Sequence, residues 1–151
     1  MKTFQKLMAA IDLSLYSNKV LKHAYNLAED LKAELVVVHV INQRDIDAIQ
    51  QVSSYINGFS LNEYIEAQKK QRLHFIEKVI STLNTHGIAA PILFRTGVPF
   101  KELIQAIEDL CIDIAVMGTK GRGHIAGVLF GSVAEKMFRH CPVPLLSIKE
   151  Q

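Results

Sequence analysis

Short apolar stretches alternate along this chain with longer stretches whose apolar residues recur every three or four positions. The short stretches have the length and composition of buried β-strands, and the longer ones have the period of amphipathic helices. This alternation is typical of β-α-β units, in which helices join parallel strands. Five strands are predicted, at residues 6–11, 34–41, 90–94, 112–117 and 143–148.

The polar residues predict where the helices begin and end. Ser17 is the candidate N-cap of the first helix, and Gly87 is expected to close the helix over residues 61–85. Pro99 suits the first turn of the next helix. Residues 42–60 follow neither period and are predicted to form a loop. The last helix is predicted at residues 132–139. The first helix has one apolar face, formed by Val20, Ala24, Leu27, Ala28 and Leu31.

The strand sequences indicate positions in the sheet. The second strand is apolar on both faces, as expected of a central strand covered by helices on each side. Pro144 has no N–H to donate, so the final strand is predicted at the edge. The fold class is therefore α/β, a doubly wound parallel sheet with helices on both faces.

Composition excludes several classes of protein. The 151 residues are 49% apolar and 21% charged, which predicts one globular domain over residues 1–151. A net charge of +2 argues against a nucleic-acid partner, and the apolar run near the start is too short for a signal peptide or a membrane span. Cys111 and Cys141 form no Cys-x-x-Cys pair and suit small buried thiols, so a cytoplasmic location is expected.

The glycines are concentrated in one stretch of the chain. Lys120 and Arg122 add positive charge there, residues 114–134 contain no Asp or Glu, and Ser132 begins the helix that follows. Glycine allows a ligand to approach backbone N–H groups, and a helix N-terminus attracts anions. A phosphate-binding loop is predicted, with an ordinary solvated surface loop as the alternative. The glycines are Gly118, Gly121, Gly123, Gly127 and Gly131.

Two familiar phosphate motifs do not fit this stretch. Gly118 and Gly123 have Walker A spacing, but His124 and Ile125 follow where Lys and Ser or Thr are required. Residues 121–126 match a variant of the dinucleotide fingerprint, yet the strand left after them contains no acid that could bind a ribose.

The glycines fit a longer spacing. Two residues separate Gly118 from Gly121, and nine separate Gly121 from Gly131-Ser132. This spacing is one part of a resemblance that covers most of the chain. Residues 117–123 (MGTKGRG), 131–136 (GSVAEK) and 140–144 (HCPVP) together resemble the C-terminal signature of universal stress proteins. Residues 10–14 (AIDLS) and His39-Val40 resemble the ends of the family's first two strands. The chain departs from the family's pattern at Leu13, where glycine is common, and at Thr119-Lys120, where Ser-His is common.

The resemblance implies the ATP-binding branch of the family. There, the loop glycines and the following serine hold ribose and phosphates, the first-strand Asp contacts the nucleoside, and backbone groups of the second strand meet adenine. ATP with Mg²⁺ or Mn²⁺ is the expected cofactor, with the metal on the phosphates and Asp12 as the candidate protein ligand. The implied nucleotide-binding residues are Ala10, Ile11, Asp12, Val40, Met117, Gly118, Lys120, Gly121, Arg122, Gly123, Gly131, Ser132 and Val133.

The expected strand order, 3-2-1-4-5, places these residues together. The order reverses between strands 1 and 4, and ligands of such sheets bind there, beyond the carboxyl ends of the strands. Asp12 follows strand 1 and Gly118 follows strand 4, so both should flank one crevice.

The resemblance implies an ATP-binding regulatory module rather than an enzyme. It implies a homodimer joined through the final strand, from Val143 to Ile148, and a protein partner of unknown identity. No catalytic residue is assigned, because Ser14 and Ser132 have no identifiable His partner. The six histidines lack metal-ligand spacing. The alternatives are a dimer of the same family that binds no nucleotide, and a slow ATPase or adenylate-forming relative. An adenylate-forming relative would need a glycine- and serine-rich phosphate loop after strand 1, and residues 10–14 contain no glycine.

Overall fold

The computed structural model describes residues 3–121, 126–127 and 129–149. These residues form strands and helices that alternate for most of the chain. In order they are β1 (Lys6–Ile11), α1 (Ser17–Leu31), β2 (Glu34–Asn42), α2 (Gln43–Ser53), α3 (Leu61–Ser81), β3 (Ile92–Gly97), α4 (Pro99–Asp109), β4 (Ile114–Gly118), α5 (Ser132–His140) and β5 (Leu145–Ile148).

The five strands form one parallel sheet in the order β3-β2-β1-β4-β5, which confirms the predicted fold class. β1 lies at the centre, where Leu7 pairs with Leu35 on one side and with Ile114 on the other. β5 forms an edge, as Pro144 predicted. The order reverses between β1 and β4, so the segments that follow these two strands leave the sheet side by side.

Helices cover both faces of the sheet because the buried side chains of the strands alternate. Leu7, Ala9 and Val37 pack with α1 and α3, whereas Met8 and Val38 pack with α4 and α5. The first of these cores is completed by Tyr25 and Ile76, and the second by Leu103 and Met137, all of which are buried. None of the described helices is long and apolar enough to cross a membrane.

The loop predicted at residues 42–60 is wrong over most of its length, because α2 occupies Gln43–Ser53. The side-chain oxygen of Asn42 accepts a hydrogen bond from the Arg44 N–H at 3.0 Å, which caps the helix. Ile46 is its one buried residue, so the apolar period is too short to stand out in the sequence.

Two predicted helix boundaries are also wrong. α3 ends at Ser81, and Gly87, although left-handed at φ +75°, lies beyond the helix rather than closing it. Ser17 is not an N-cap: it is the first residue of α1, and among the described residues its buried Oγ has no hydrogen-bond partner. Three strands also start later than predicted, and β3 extends to Gly97 because β2 is long enough to pair with it there.

The cysteines differ from each other. Cys111 is exposed, so the prediction that it is a buried thiol is wrong. It follows α4 in a left-handed turn at φ 53°, which takes it away from the core. Cys141 is partly buried, and this burial raises the pKa of its thiol.

Candidate functional site

A cleft opens at the carboxyl edge of the sheet, where the strand order reverses. It lies between the ends of β1, β2 and β4 and the first turns of α1 and α5. Every predicted site residue within the described part of the chain lines it, whereas Arg122 and Gly123 lie outside the described residues. The predicted residues brought together are Ala10, Ile11, Asp12, Val40, Met117, Gly118, Lys120, Gly121, Gly131, Ser132 and Val133.

The turn after β1 holds Asp12 in a defined position. Its Oδ1 atom accepts a hydrogen bond from the Ser14 N–H at 3.0 Å, and the Ser14 hydroxyl accepts one from the Tyr16 N–H at 3.3 Å. Such bonds to neighbouring amides stabilise tight turns. Leu13 lies between them with φ 63°, a left-handed conformation that costs a non-glycine residue about 1–2 kcal/mol. This conformation explains why glycine suits the position.

The loop after β4 is fixed by Thr119, which is buried. The Thr119 N–H donates to the Ile148 carbonyl at 3.1 Å, and the Thr119 carbonyl accepts from the Gly131 N–H at 2.7 Å. The second bond ties the start of the glycine-rich segment to its end, so that the start of the loop lies beside the first turn of α5.

The structure explains the presence of glycine differently at each position of this loop. At Gly121 a Cβ atom would overlap Asp12 Oδ2, and at Gly118 it would lie 3.2 Å from the Lys120 carbonyl oxygen. Gly131 has φ −71°, so its backbone does not require glycine, and a Cβ there would make ordinary contacts of 3.6–3.7 Å. Space limits the side chains at residues 118 and 121, whereas at residue 131 a methyl group would fit.

The first turn of α5, residues 132–134, forms one side of the cleft. A helix N-terminus has backbone N–H groups without partners in the helix and carries a partial positive charge. Gly131, which precedes the helix, supplies no side chain that could cap these groups. Lys120, which also lines the cleft, adds a cation. This end of the cleft is therefore suited to an anion.

The side of the cleft formed by the end of β2 contains a buried histidine. His39, near the end of β2, is 1% exposed. Its Nδ1 atom lies 2.8 Å from the Ile11 carbonyl oxygen, its Nε2 atom lies 2.7 Å from Nη1 of Arg72, and its ring meets Phe94 edge to face. This side chain has no predicted role from sequence, although a histidine in an otherwise apolar buried strand is a visible signal.

The comparisons with known proteins identify the family. A family model described as the universal stress protein family matches residues 3–149. The chain belongs to this family. Universal stress protein MJ0577 of Methanocaldococcus jannaschii is 27% identical over 98% of this chain and 96% of its own length. Universal stress protein YxiE of Bacillus subtilis is 26% identical over 97% of this chain and 99% of its own length.

Solved structures share the fold of this universal stress protein. The structure of MJ0577 superposes with a TM-score of 0.80 at 23% identity and covers 99% of both chains. A universal stress protein of Archaeoglobus fulgidus in complex with dAMP has a TM-score of 0.64 at 18% identity and covers 98% of this chain and 100% of its own. A universal stress protein in complex with cAMP has a TM-score of 0.63 at 19% identity, and it covers 99% of this chain and 100% of its own.

Several residues that line the cleft of this universal stress protein were missed by sequence reasoning. Ser14, Tyr16 and Ser17 belong to the turn and first helix after β1, a segment in which only the residues up to Asp12 were assigned. Pro99 was interpreted only as the start of a helix, because nothing in the spacing of Pro99 and Leu103 indicates that α4 reaches the cleft. The other missed lining residues are Val20, His39, Asn42 and Ala134.

Metal-binding capacity in the described part of the chain is small. Those residues contain no group of three or more His, Cys, Asp or Glu side chains that could hold a metal ion. Asp12 is the acidic residue among those lining the cleft, and one of its oxygens accepts the Ser14 N–H.

Proposed function

We propose that this universal stress protein binds ATP in the cleft between β1 and β4. The observation that carries the proposal is the contact between Asp12 and Gly121, two residues that are far apart in the sequence. The Asp12 carboxylate lies so close to Gly121 that no side chain fits between the turn after β1 and the loop after β4. The two segments therefore form one continuous wall at the position where doubly wound sheets bind their ligands.

The chemistry of the cleft divides along its length, as the two ends of a nucleotide require. Apolar side chains from Ala10, Val40 and Met117 offer a surface for adenine. Lys120 and the first turn of α5 offer positive charge and backbone N–H groups for phosphates. Two universal stress proteins of the same fold were solved in complex with cAMP and dAMP, which are adenine nucleotides. These two complexes support an adenine nucleotide as the ligand of this cleft.

A divalent cation fits this cleft as a companion of the phosphates. Mg²⁺ keeps several waters and binds through one or two carboxylates together with phosphate oxygens. The Oδ2 atom of Asp12 lies beside Gly121, in the loop that follows β4. Asp12 would supply the protein's oxygen ligand for Mg²⁺ or Mn²⁺, and the bound ion would neutralise phosphate charge.

The role that suits such a cleft is regulation by the state of the nucleotide. In this proposal the protein is a cytoplasmic homodimer whose ATP-bound form is recognised by a protein partner. The free thiols of Cys111 and Cys141 suit a reducing compartment. The edge strand β5 offers unpaired backbone groups to a second copy. Asp12 is the one carboxylate among the described lining residues, and the loop over residues 114–134 contains no Asp, Glu, Asn or Gln to orient an attacking water, so little intrinsic hydrolysis is proposed.

Mass spectrometry of the small molecules released when the purified protein is denatured tests the proposal. Calorimetric titration of nucleotide-free protein with ATP and Mg²⁺ gives the affinity. Asp12→Ala should weaken binding, whereas Asp30→Ala, at an exposed position in α1, should leave it unchanged. If no adenine nucleotide is released and no heat of binding is measured, the nucleotide proposal is wrong and the family member acts without a nucleotide.

A further inference from the structure

We infer that His39 is a positioning residue for the cleft: its imidazole holds the Ile11 carbonyl at the end of β1, and Arg72 fixes the tautomer that can do so. The effect on nucleotide affinity rests on the proposed function. The effect on the turn after β1 does not, so the two can be tested separately.

His39 lies beside the end of β1. Ile11 and His39 are paired in the β1–β2 register, and His39 lies on the sheet face that packs against α1 and α3. Ile11 is the last residue of β1, and Asp12 follows it directly. A side-chain hydrogen bond of 2.8 Å to the Ile11 carbonyl therefore acts on the peptide group that joins the strand to Asp12.

The protonation of the ring follows from its two partners. A carbonyl oxygen only accepts hydrogen bonds, so the Nδ1 atom that faces Ile11 must carry the proton. A guanidinium only donates, so the Nε2 atom that faces Arg72 at 2.7 Å must be unprotonated. The imidazole is therefore neutral with its proton on Nδ1. The other tautomer would direct a lone pair at the carbonyl and an N–H group at the cation.

Burial makes this arrangement consequential. His39 is 1% exposed, and a buried polar group left without a partner is costly. The Phe94 ring, 5.8 Å from the imidazole between ring centres, adds steric support for the orientation. Arg72 belongs to α3 and contacts the ring nitrogen that faces away from the Ile11 carbonyl. Through His39, α3 therefore helps to fix the position of the Asp12 turn.

Nitrogen NMR of the wild-type protein at neutral pH tests the tautomer without any substitution. The expected signature is a protonated Nδ1 and an unprotonated Nε2 for His39. A protonated Nε2, in either the other tautomer or the imidazolium form, would overturn the inference. In Arg72→Met the Nδ1-protonated population should fall, because the donor that selects it is lost.

Two substitutions of His39 separate positioning from packing. Asn places an amide N–H close to the Nδ1 position and can keep the bond to Ile11, whereas Gln places its amide near Nε2 and can meet Arg72 instead. Hydrogen exchange of the Ser14 amide, which reports on the Asp12 turn, should be faster in His39→Gln than in His39→Asn. ATP affinity should fall about three- to tenfold in His39→Gln and stay close to wild type in His39→Asn.

The outcomes distinguish the two proposals. If wild-type protein does not bind ATP but the Ser14 amide responds to the variants as expected, the nucleotide proposal fails and the positioning role stands. If His39→Asn and His39→Gln change Ser14 exchange and ATP affinity equally, in proportion to their loss of thermal stability, His39 has a packing role only and the inference is wrong.

Discussion

The Oδ2 atom of Asp12 occupies the space that a Cβ atom on residue 121 would need, so Gly121 and Asp12 fit together only because one of them has no side chain. The carboxylate does not swing away freely, because its other oxygen accepts the Ser14 N–H at 3.0 Å. A residue after β1 thus dictates the residue type in a loop after β4. This relationship is a requirement of the folded chain itself and holds with or without a ligand.

Gly121→Ala should therefore displace Asp12 and weaken both the fold and the cleft. Overpacking of this kind costs about 1–3 kcal/mol in the free energy of unfolding. If Asp12 and this loop bind ATP, affinity should fall by about tenfold or more, since each 1.4 kcal/mol is a factor of ten. Urea denaturation and calorimetric titration with ATP and Mg²⁺ measure the two effects.

A double-mutant cycle identifies the cause. In an Asp12→Ala background the same Gly121→Ala substitution should cost much less stability, because the overlapping carboxylate is gone. Gly131→Ala is the matched control for stability, since a Cβ there makes contacts of 3.6–3.7 Å at φ −71°. Equal stability losses at residues 121 and 131 would contradict the steric explanation.

The features that sequence predicted well are those with a strong periodic or spacing signal. The strands could be recognised because buried strands covered on both faces are continuously apolar, as in β2. The residues of the cleft could be brought together because the strand order places the ends of β1 and β4 side by side. Gly118 and Gly121 stood out through their spacing, and the structure gives both a steric reason.

The features that sequence missed depend on contacts between distant residues. α2 buries only Ile46, so its apolar period was not recognisable. The backbone of Gly131 is extended rather than left-handed, and its carbonyl accepts the Glu135 N–H at 2.9 Å as α5 begins, which its place in a glycine-rich stretch did not indicate. The pairing of His39 with Arg72 joins β2 to α3, and no local pattern encodes it.

Ser17 gives a prediction that contrasts two serines at helix starts. Its Oγ is buried without a partner among the described residues, whereas Ser60 Oγ accepts the Glu63 N–H at 3.3 Å as the cap of α3. Ser17→Ala should leave the free energy of unfolding unchanged or raise it, because it removes an unsatisfied buried group. Ser60→Ala should lower it by about 1 kcal/mol. Urea denaturation of both variants measures this, and a loss at Ser17 as large as that at Ser60 would indicate a hydrogen bond to Ser17 Oγ.

ATP turnover without a partner should be far below the range of about 1–100 per second that is typical of kinases. Fast phosphoryl transfer needs a group that orients the water or acceptor, and residues 114–134 contain no Asp, Glu, Asn or Gln. Asp12 has one oxygen engaged by the Ser14 N–H. A steady-state assay with Mg²⁺ and saturating ATP measures the rate. Turnover near one per second that persists through purification and disappears in Gly121→Ala would show an enzyme instead.

The edge strand β5 allows a direct test of the proposed homodimer. The carbonyl groups of Pro144 and Ile148 accept hydrogen bonds from Ala115 and Thr119 of β4 and its loop, at 3.0 and 3.1 Å. Because the backbone groups of a strand alternate in direction, those of Leu146 also face β4, while those of Leu145 and Ser147 point away from the sheet. Ser147→Pro therefore removes an N–H that faces away from β4 and is available to a second chain, whereas Leu146→Pro removes one from the β4 ladder.

In light scattering at micromolar concentration we expect wild type to be a dimer and Ser147→Pro a folded monomer. Leu146→Pro should lower the melting temperature much more than Ser147→Pro does. A Ser147→Pro protein that remains fully dimeric would exclude pairing through this edge and would place the interface on another surface.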